Sequence, residues 1–177
     1  MGKRSSFARR PMDAYQTPPE PVQPLLPHLG GIRTFSEPCA GEGRLIAHLE
    51  AAGLRCVHAN DFIYGEDARK LEDFGGADAI ITNPPWSRDL LHDMIVHFQR
   101  HAQTWLLFDS DWAYTVQARP FLPQCSDIVA VGRVKWFGGT GGKDNASWYR
   151  FDARHSAGPR FHNGASVVSR DANGVFA

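Results

Sequence analysis

Apolar positions along this chain follow two periods, one of strands and one of helices. Residues 32–36, 55–61, 77–82, 104–109, 127–137 and 146–152 are short runs rich in β-branched, aromatic and other apolar side chains, and they read as strands. Leu45, Ile46, Leu49 and Ala52 recur at helical spacing and Gly53 stops that segment. Leu90, Leu91, Met94, Ile95 and Phe98 do the same across residues 87–102. Strands that alternate with helices predict an α/β fold around a mostly parallel sheet. Residues 127–137 and 146–152 follow one another with only a glycine-rich stretch, 138–145, between them, so they read as a closing antiparallel hairpin.

Breakers and caps fill in the connections. Thr17 precedes Pro18 and Pro19, with Glu20 three residues on, which predicts a helix start with a capping box, kinked further along by Pro24 and Pro27. Residues 111–122 read as a helix or lid piece stopped by Pro120 and Pro123. The division expected is a basic flexible arm over 1–14, one folded domain over 15–153 and a weakly ordered tail over 154–177.

Composition narrows the classes. At 177 residues, 42% hydrophobic and 21% charged, the chain holds one globular domain with no room for a second. It contains no apolar run of membrane-spanning length and no signal-peptide core, so a cytoplasmic protein is expected. Cys39, Cys56 and Cys125 are odd in number and far apart, which makes neither a disulfide framework nor a metal-ligand pair. His92, His97 and His101 share the helix over 87–102 without an accompanying acid at metalloprotease spacing, and no metal is expected. Net charge is zero, yet the two ends are basic and residues 36–100 are acidic. That distribution suits a cationic ligand at the centre with phosphate-contacting edges, and equally a merely solvated surface.

Chemistry concentrates at Asn83-Pro84-Pro85-Trp86, directly after the apolar run 77–82. Ligands of open α/β sheets sit at the carboxyl ends of strands. Two consecutive prolines make the loop stiff. The Asn83 side chain and the Pro84 carbonyl then offer two acceptor oxygens to an amino group, and Trp86 offers an indole face to a planar base. Upstream, Glu37-Pro38-Cys39-Ala40-Gly41-Glu42-Gly43 links the first strand to the first amphipathic helix. Its glycines allow a ligand close to the backbone, but it is neither a dinucleotide fingerprint nor a phosphate-binding loop. Asp61 ends the second strand where a carboxylate can accept both ribose hydroxyls, with Phe62 beside it to pack on an adenine.

These motifs, in this order, resemble the S-adenosylmethionine-dependent amino-methyltransferases. The closest likeness is to minimal DNA adenine N6-methyltransferases of phages and prophages, in the γ arrangement of cofactor segment before catalytic segment. The likeness covers about residues 13–153. It rests on Thr17-Pro18-Pro19-Glu20, the Glu37–Gly43 loop, Asp61 and the Asn83–Trp86 loop. It implies a Rossmann-like class I methyltransferase domain, about seven strands with the last antiparallel, in which residues 104–109 are the fifth strand.

The resemblance further implies that S-adenosylmethionine lies against Tyr15, Thr17, Glu37, Cys39, Ala40, Gly41, Gly43, Asp61, Phe62 and Asn83, with Glu37 on its ammonium. Asp67 would face the cofactor's adenine amino group, with Asp73 as the other choice. Asn83, Pro84, Pro85 and Trp86 would be the catalytic loop, acting on a flipped-out adenine. On the residues themselves, Arg133, Lys135 and Lys143 of the hairpin suit a grip on a DNA backbone, and equally a plain long hairpin loop. Asn at the first loop position favours adenine over cytosine. Full-length relatives add a target-recognition domain that does not fit here, so loose or very short specificity, or a homodimer, is expected. An RNA amino-methyltransferase, a protein glutamine methyltransferase and a non-catalytic binding module are the alternatives.

Overall fold

The computed structural model describes residues 16–136 and 143–164. Seven strands form one sheet: β1 (Thr34–Glu37), β2 (Arg55–Ala59), β3 (Ala79–Thr82), β4 (Gln103–Asp109), β5 (Cys125–Lys135), β6 (Lys143–Phe151) and β7 (Arg160–His162). Their spatial order is β2-β1-β3-β4-β6-β5-β7. β6 runs antiparallel to both β4 and β5, while every other pairing is parallel. Among the described residues, three α-helices accompany the sheet: α1 (Val22–Leu25), α2 (Arg44–Ala51) and α3 (Arg88–Phe98).

The period of two along β4 shows how the sheet is buried on both faces. Trp105 and Leu107 join Leu25, Phe35, Leu45, Leu49 and Trp148 on the face covered by α1 and α2. Leu106 and Phe108 join Ile80, Met94, Ile95, Phe98 and Tyr149 on the face covered by α3. A strand with no solvent side needs an unbroken apolar run, which β3 and β4 have.

Several expectations need correction. The segment opened by Thr17 does not become a capped helix there: α1 starts at Val22 behind Pro21, with no side-chain cap. The Thr17 hydroxyl, which a capping box would turn to the Glu20 amide, instead accepts from Asn83 Nδ2 at 3.2 Å. Trp148 instead anchors the segment by donating its indole N–H to the Pro21 carbonyl at 2.8 Å. The strand at 103–109 is the fourth, not the fifth. The polar stretch before β3 forms 3-10 turns at Phe62–Tyr64 and Ala68–Lys70 and no strand. The reversed strand is the sixth of seven. The seventh, Arg160–His162, lies inside the expected tail and pairs parallel with β5, so the sheet extends past the expected domain end. Residues 110–124 form three 3-10 turns in place of a helix.

Candidate functional site

From β1 the chain crosses to β2 on one side and, later, to β3 on the other, which opens a crevice at the carboxyl ends of β1 and β3. Glu37 is the last residue of β1, and Asn83 follows the last residue of β3. Both line one cavity of about 450 Å³, within the range of small-molecule sites. Thr17 enters from the N-terminal segment, Cys39, Ala40 and Gly41 from the loop after β1, Asp61 and Phe62 from the end of β2, and Asp67 and Pro85 also line it, whereas Pro84 and Trp86 of the predicted catalytic loop do not.

Gly41 takes φ +54° with the Gln16 side chain packed so closely that a Cβ would lie 2.5 Å from its amide nitrogen. Only glycine meets both demands without displacement. Gly43, at φ +77°, is the residue before α2 and starts that helix without lining the cavity. Asp61 fastens the loop: its Oδ2 accepts the Gly41 amide at 2.7 Å and its Oδ1 the Ile63 amide at 3.0 Å.

Glu37 is 1% exposed, and its Oε2 is buried without a hydrogen-bond partner. Burial first, and the neighbouring Asp61 carboxylate second, push its carboxyl well above the ordinary range, against an opposing hydrogen bond from the Ile46 amide. A buried acid left short of a partner beside a cavity is matched by a cationic ligand. The methionine ammonium of S-adenosylmethionine has that charge, so the residues present fit the cofactor. Cys39 is also driven up, mainly by burial, and stays a neutral thiol.

Asp67 lines the cavity, whereas Asp73 turns its Oδ1 to the Gly75 amide and lies outside the lining. The Asp67 carboxylate is held below its usual range, chiefly by Arg69, whose guanidinium meets both oxygens at 3.0 and 2.8 Å and also reaches Asp93 on α3 at 3.1 Å. Arg69 and Gln16 are thus site residues that the motifs did not announce. So are Ile63, Leu90 and Met94 in the lining. The one sequence signal for Gln16 is its place between two expected residues, Tyr15 and Thr17; Tyr15 itself is outside the described residues.

In the loop after β3, Pro84 is buried and Asn83, Pro85 and Trp86 are half-buried. Asn83 Nδ2 donates to Thr17 Oγ1 at 3.2 Å, and Trp86 Nε1 donates to Asn83 Oδ1 at 3.2 Å and to the Leu107 carbonyl at 3.2 Å. Trp86 meets Trp136, just past β5, edge to face with ring centroids 5.4 Å apart. Arg133 and Lys135 are exposed near the same end of β5, and Lys143 begins β6 opposite Lys135. The glycines between them lie outside the described residues. Among the described residues, no group of His, Cys, Asp or Glu is placed to hold a metal ion, and no helix is long and apolar enough to cross a membrane.

Comparison with protein families and with curated proteins gives no match. Among solved structures, the M protein of the type I restriction enzyme EcoKI (EC 2.1.1.72) aligns over 83% of this chain at 12% identity, with a TM-score of 0.50. The aligned part is 47% of that protein, so this chain spans about half its length. A point mutant of MtNAS aligns over 74% of this chain and 48% of its own at 14% identity, with a TM-score of only 0.29. The fold is the Rossmann-like fold of class I methyltransferases.

Proposed function

We propose that this protein transfers a methyl group from S-adenosylmethionine to the exocyclic amino group of adenine in DNA. The observation that carries the reading is the unpartnered, buried Glu37 carboxylate oxygen in the same cavity as Asn83. One residue calls for a cationic ligand, and the other offers an amide to an amine. The similarity of fold to the EcoKI M protein supports the same direction.

The bound cofactor would supply an electrophilic methyl group on a sulfonium. Glu37 would hold its ammonium, Asp61 its ribose hydroxyls, Phe62 the face of its adenine and Asp67 the adenine amino group. Asp61 and Asp67 each retain acceptor capacity beside the bonds they already make, because a carboxylate has about four lone-pair positions. On the substrate side, Asn83 Oδ1 and the Pro84 carbonyl accept the two amino hydrogens. The substrate nitrogen is then drawn out of conjugation with its ring and its lone pair is fixed in direction. Orientation of this kind is worth several kcal/mol of barrier. No strong base is required, because the methylated nitrogen is acidic and sheds its proton to water. A base within a duplex cannot reach such a loop, so it is extruded or already single-stranded.

The test is direct. The purified protein is incubated with S-adenosylmethionine and separate pools of unmethylated DNA and RNA, each digested to nucleosides and analysed by mass spectrometry, with Asn83→Ala as control. N6-methyladenine in DNA, lost in the variant, is the expected result. Signal in RNA alone moves the substrate to RNA, and silence on both despite cofactor binding overturns the nucleic-acid reading.

A further inference from the structure

Among the described residues, the Asn83 side chain meets two partners of different character, and the difference bears on its orientation. A primary amide can be turned over with little change in shape, exchanging its oxygen and nitrogen. Thr17 Oγ1 cannot decide between the two arrangements, since a hydroxyl donates or accepts as required. The indole N–H of Trp86 only donates. The amide atom 3.2 Å from Trp86 Nε1 is therefore the oxygen, and the atom 3.2 Å from Thr17 Oγ1 is the nitrogen.

We propose that Trp86 and Thr17 are positioning residues that lock the Asn83 amide in a single orientation, with Trp86 acting through its N–H in addition to its face. This rests on the methyltransferase reading for its consequence in the reaction, but not for its geometry. Both partners are themselves held. Trp86 shares its N–H with the Leu107 carbonyl on β4 and packs edge-on against Trp136, and it touches the core on both faces of the sheet. Thr17 is 3% exposed and lies five residues before Val22, which is seated in the core beside the Trp148 anchor to Pro21. A carbonyl oxygen has two lone pairs, so accepting from Trp86 is compatible with accepting from a substrate amine. Were the amide to turn over, the amine would meet a second donor, and a group meant to accept hydrogens would repel them.

Asn83 is thus worked by residues from three places in the chain: the segment before α1, its own loop, and β4. Phenylalanine or tyrosine at 86 would keep an aromatic face and lose the indole donor. Trp86→Phe separates those two properties.

The experiment has two arms. In steady-state methylation of DNA, Trp86→Phe lowers kcat by about tenfold with the KM for S-adenosylmethionine unchanged, the effect of losing one orienting hydrogen bond in the transition state. Thr17→Ser, which keeps the hydroxyl, loses less activity than Thr17→Val, which removes it. In ¹⁵N spectra, the Trp86 indole N–H, identified by its absence in Trp86→Phe, shifts in Asn83→Ala, and the Asn83 side-chain amide pair broadens in Trp86→Phe. Full kcat in Trp86→Phe, or an indole resonance indifferent to Asn83→Ala, overturns the assignment. If the wild-type protein methylates no DNA adenine, the functional reading fails, and the spectra alone decide whether the amide is locked.

Discussion

The Asp61 carboxylate holds the Gly41 amide at 2.7 Å, tying the end of β2 to the loop that leaves β1. With the Ile63 amide on its other oxygen, Asp61 sets the spacing between the two walls of the cavity before any ligand arrives. Asp61→Ala frees two backbone amides and is expected to cost about 1–3 kcal/mol. Asp61→Asn keeps one acceptor and should cost less. Urea denaturation reads the stability and calorimetry the cofactor affinity. Asp61→Ala with undiminished stability would show that the loop is held by other means.

Glu37 makes stability and binding respond to pH in opposite senses. Burial and Asp61 raise its carboxyl above the usual range in the folded protein. The folded state therefore keeps a proton that the unfolded chain has released. Its contribution to stability is present at low pH and is lost as pH rises above the ordinary glutamate value of about 4.3. Pairing with an ammonium requires the proton to leave, so S-adenosylmethionine affinity weakens as pH falls into the raised titration range. Glu37→Gln should flatten the stability slope, stabilise the ligand-free protein and abolish cofactor binding. Calorimetry in buffers of different ionisation heat should register a proton released on binding to the wild type. Zero release would contradict the raised value.

The motifs that the sequence displayed plainly were those whose parts are neighbours in the chain. Asn83-Pro84-Pro85-Trp86 and the Glu37–Gly43 loop sit where a strand-end reading put them, because an apolar run followed by proline or glycine has few other ways to fold. Partnerships across long separations were not legible. Thr17 looked like a cap for the residues just after it, yet its hydroxyl is taken by Asn83, 66 positions later. Asp67 looked open to a ligand, and nothing in the local sequence said that Arg69 would meet both of its oxygens. β7 was missed because three residues among Gly, Ser and Asn carry no periodicity, and its place depends on Asp127.

That dependence is open to a separate test. Asp127 is 4% exposed and takes His162 Nε2 at 2.8 Å, with Arg160 at 3.3 Å and Arg150 at 3.4 Å. Burial alone would raise its carboxyl, but His162, Ser126 and the two arginines outweigh burial and hold it below the usual range. Its contribution is therefore present above the unfolded aspartate value of about 3.9 and is lost as pH falls through the depressed one. Asp127→Asn should cost about 1–3 kcal/mol, discounted for the exposure of Arg160. Hydrogen exchange should quicken at residues 160–162 while cofactor affinity, measured at the far end of the sheet, stays the same. Unchanged exchange would mean that the backbone pairing with β5 holds β7 by itself.

The remaining prediction rests on the proposed substrate and concerns how DNA would meet the site. β5 runs parallel to β4, so its last residues lie at the same end of the sheet as Asn83, and Trp136 just beyond them touches Trp86. Arg133 and Lys135 are exposed there. Charges in that place are suited to phosphates flanking an extruded base, and phosphate contacts carry affinity without sequence information. Removing both with Arg133→Ala and Lys135→Ala should weaken DNA binding equally for all sequences and reduce the slope of log affinity against log salt by about one per residue lost. The chemical step should survive: at saturating DNA, kcat should stay near that of the wild type while KM for DNA rises. A fall in kcat with an unchanged salt slope would place these side chains away from the backbone and make their effect one on Trp136 and the catalytic loop.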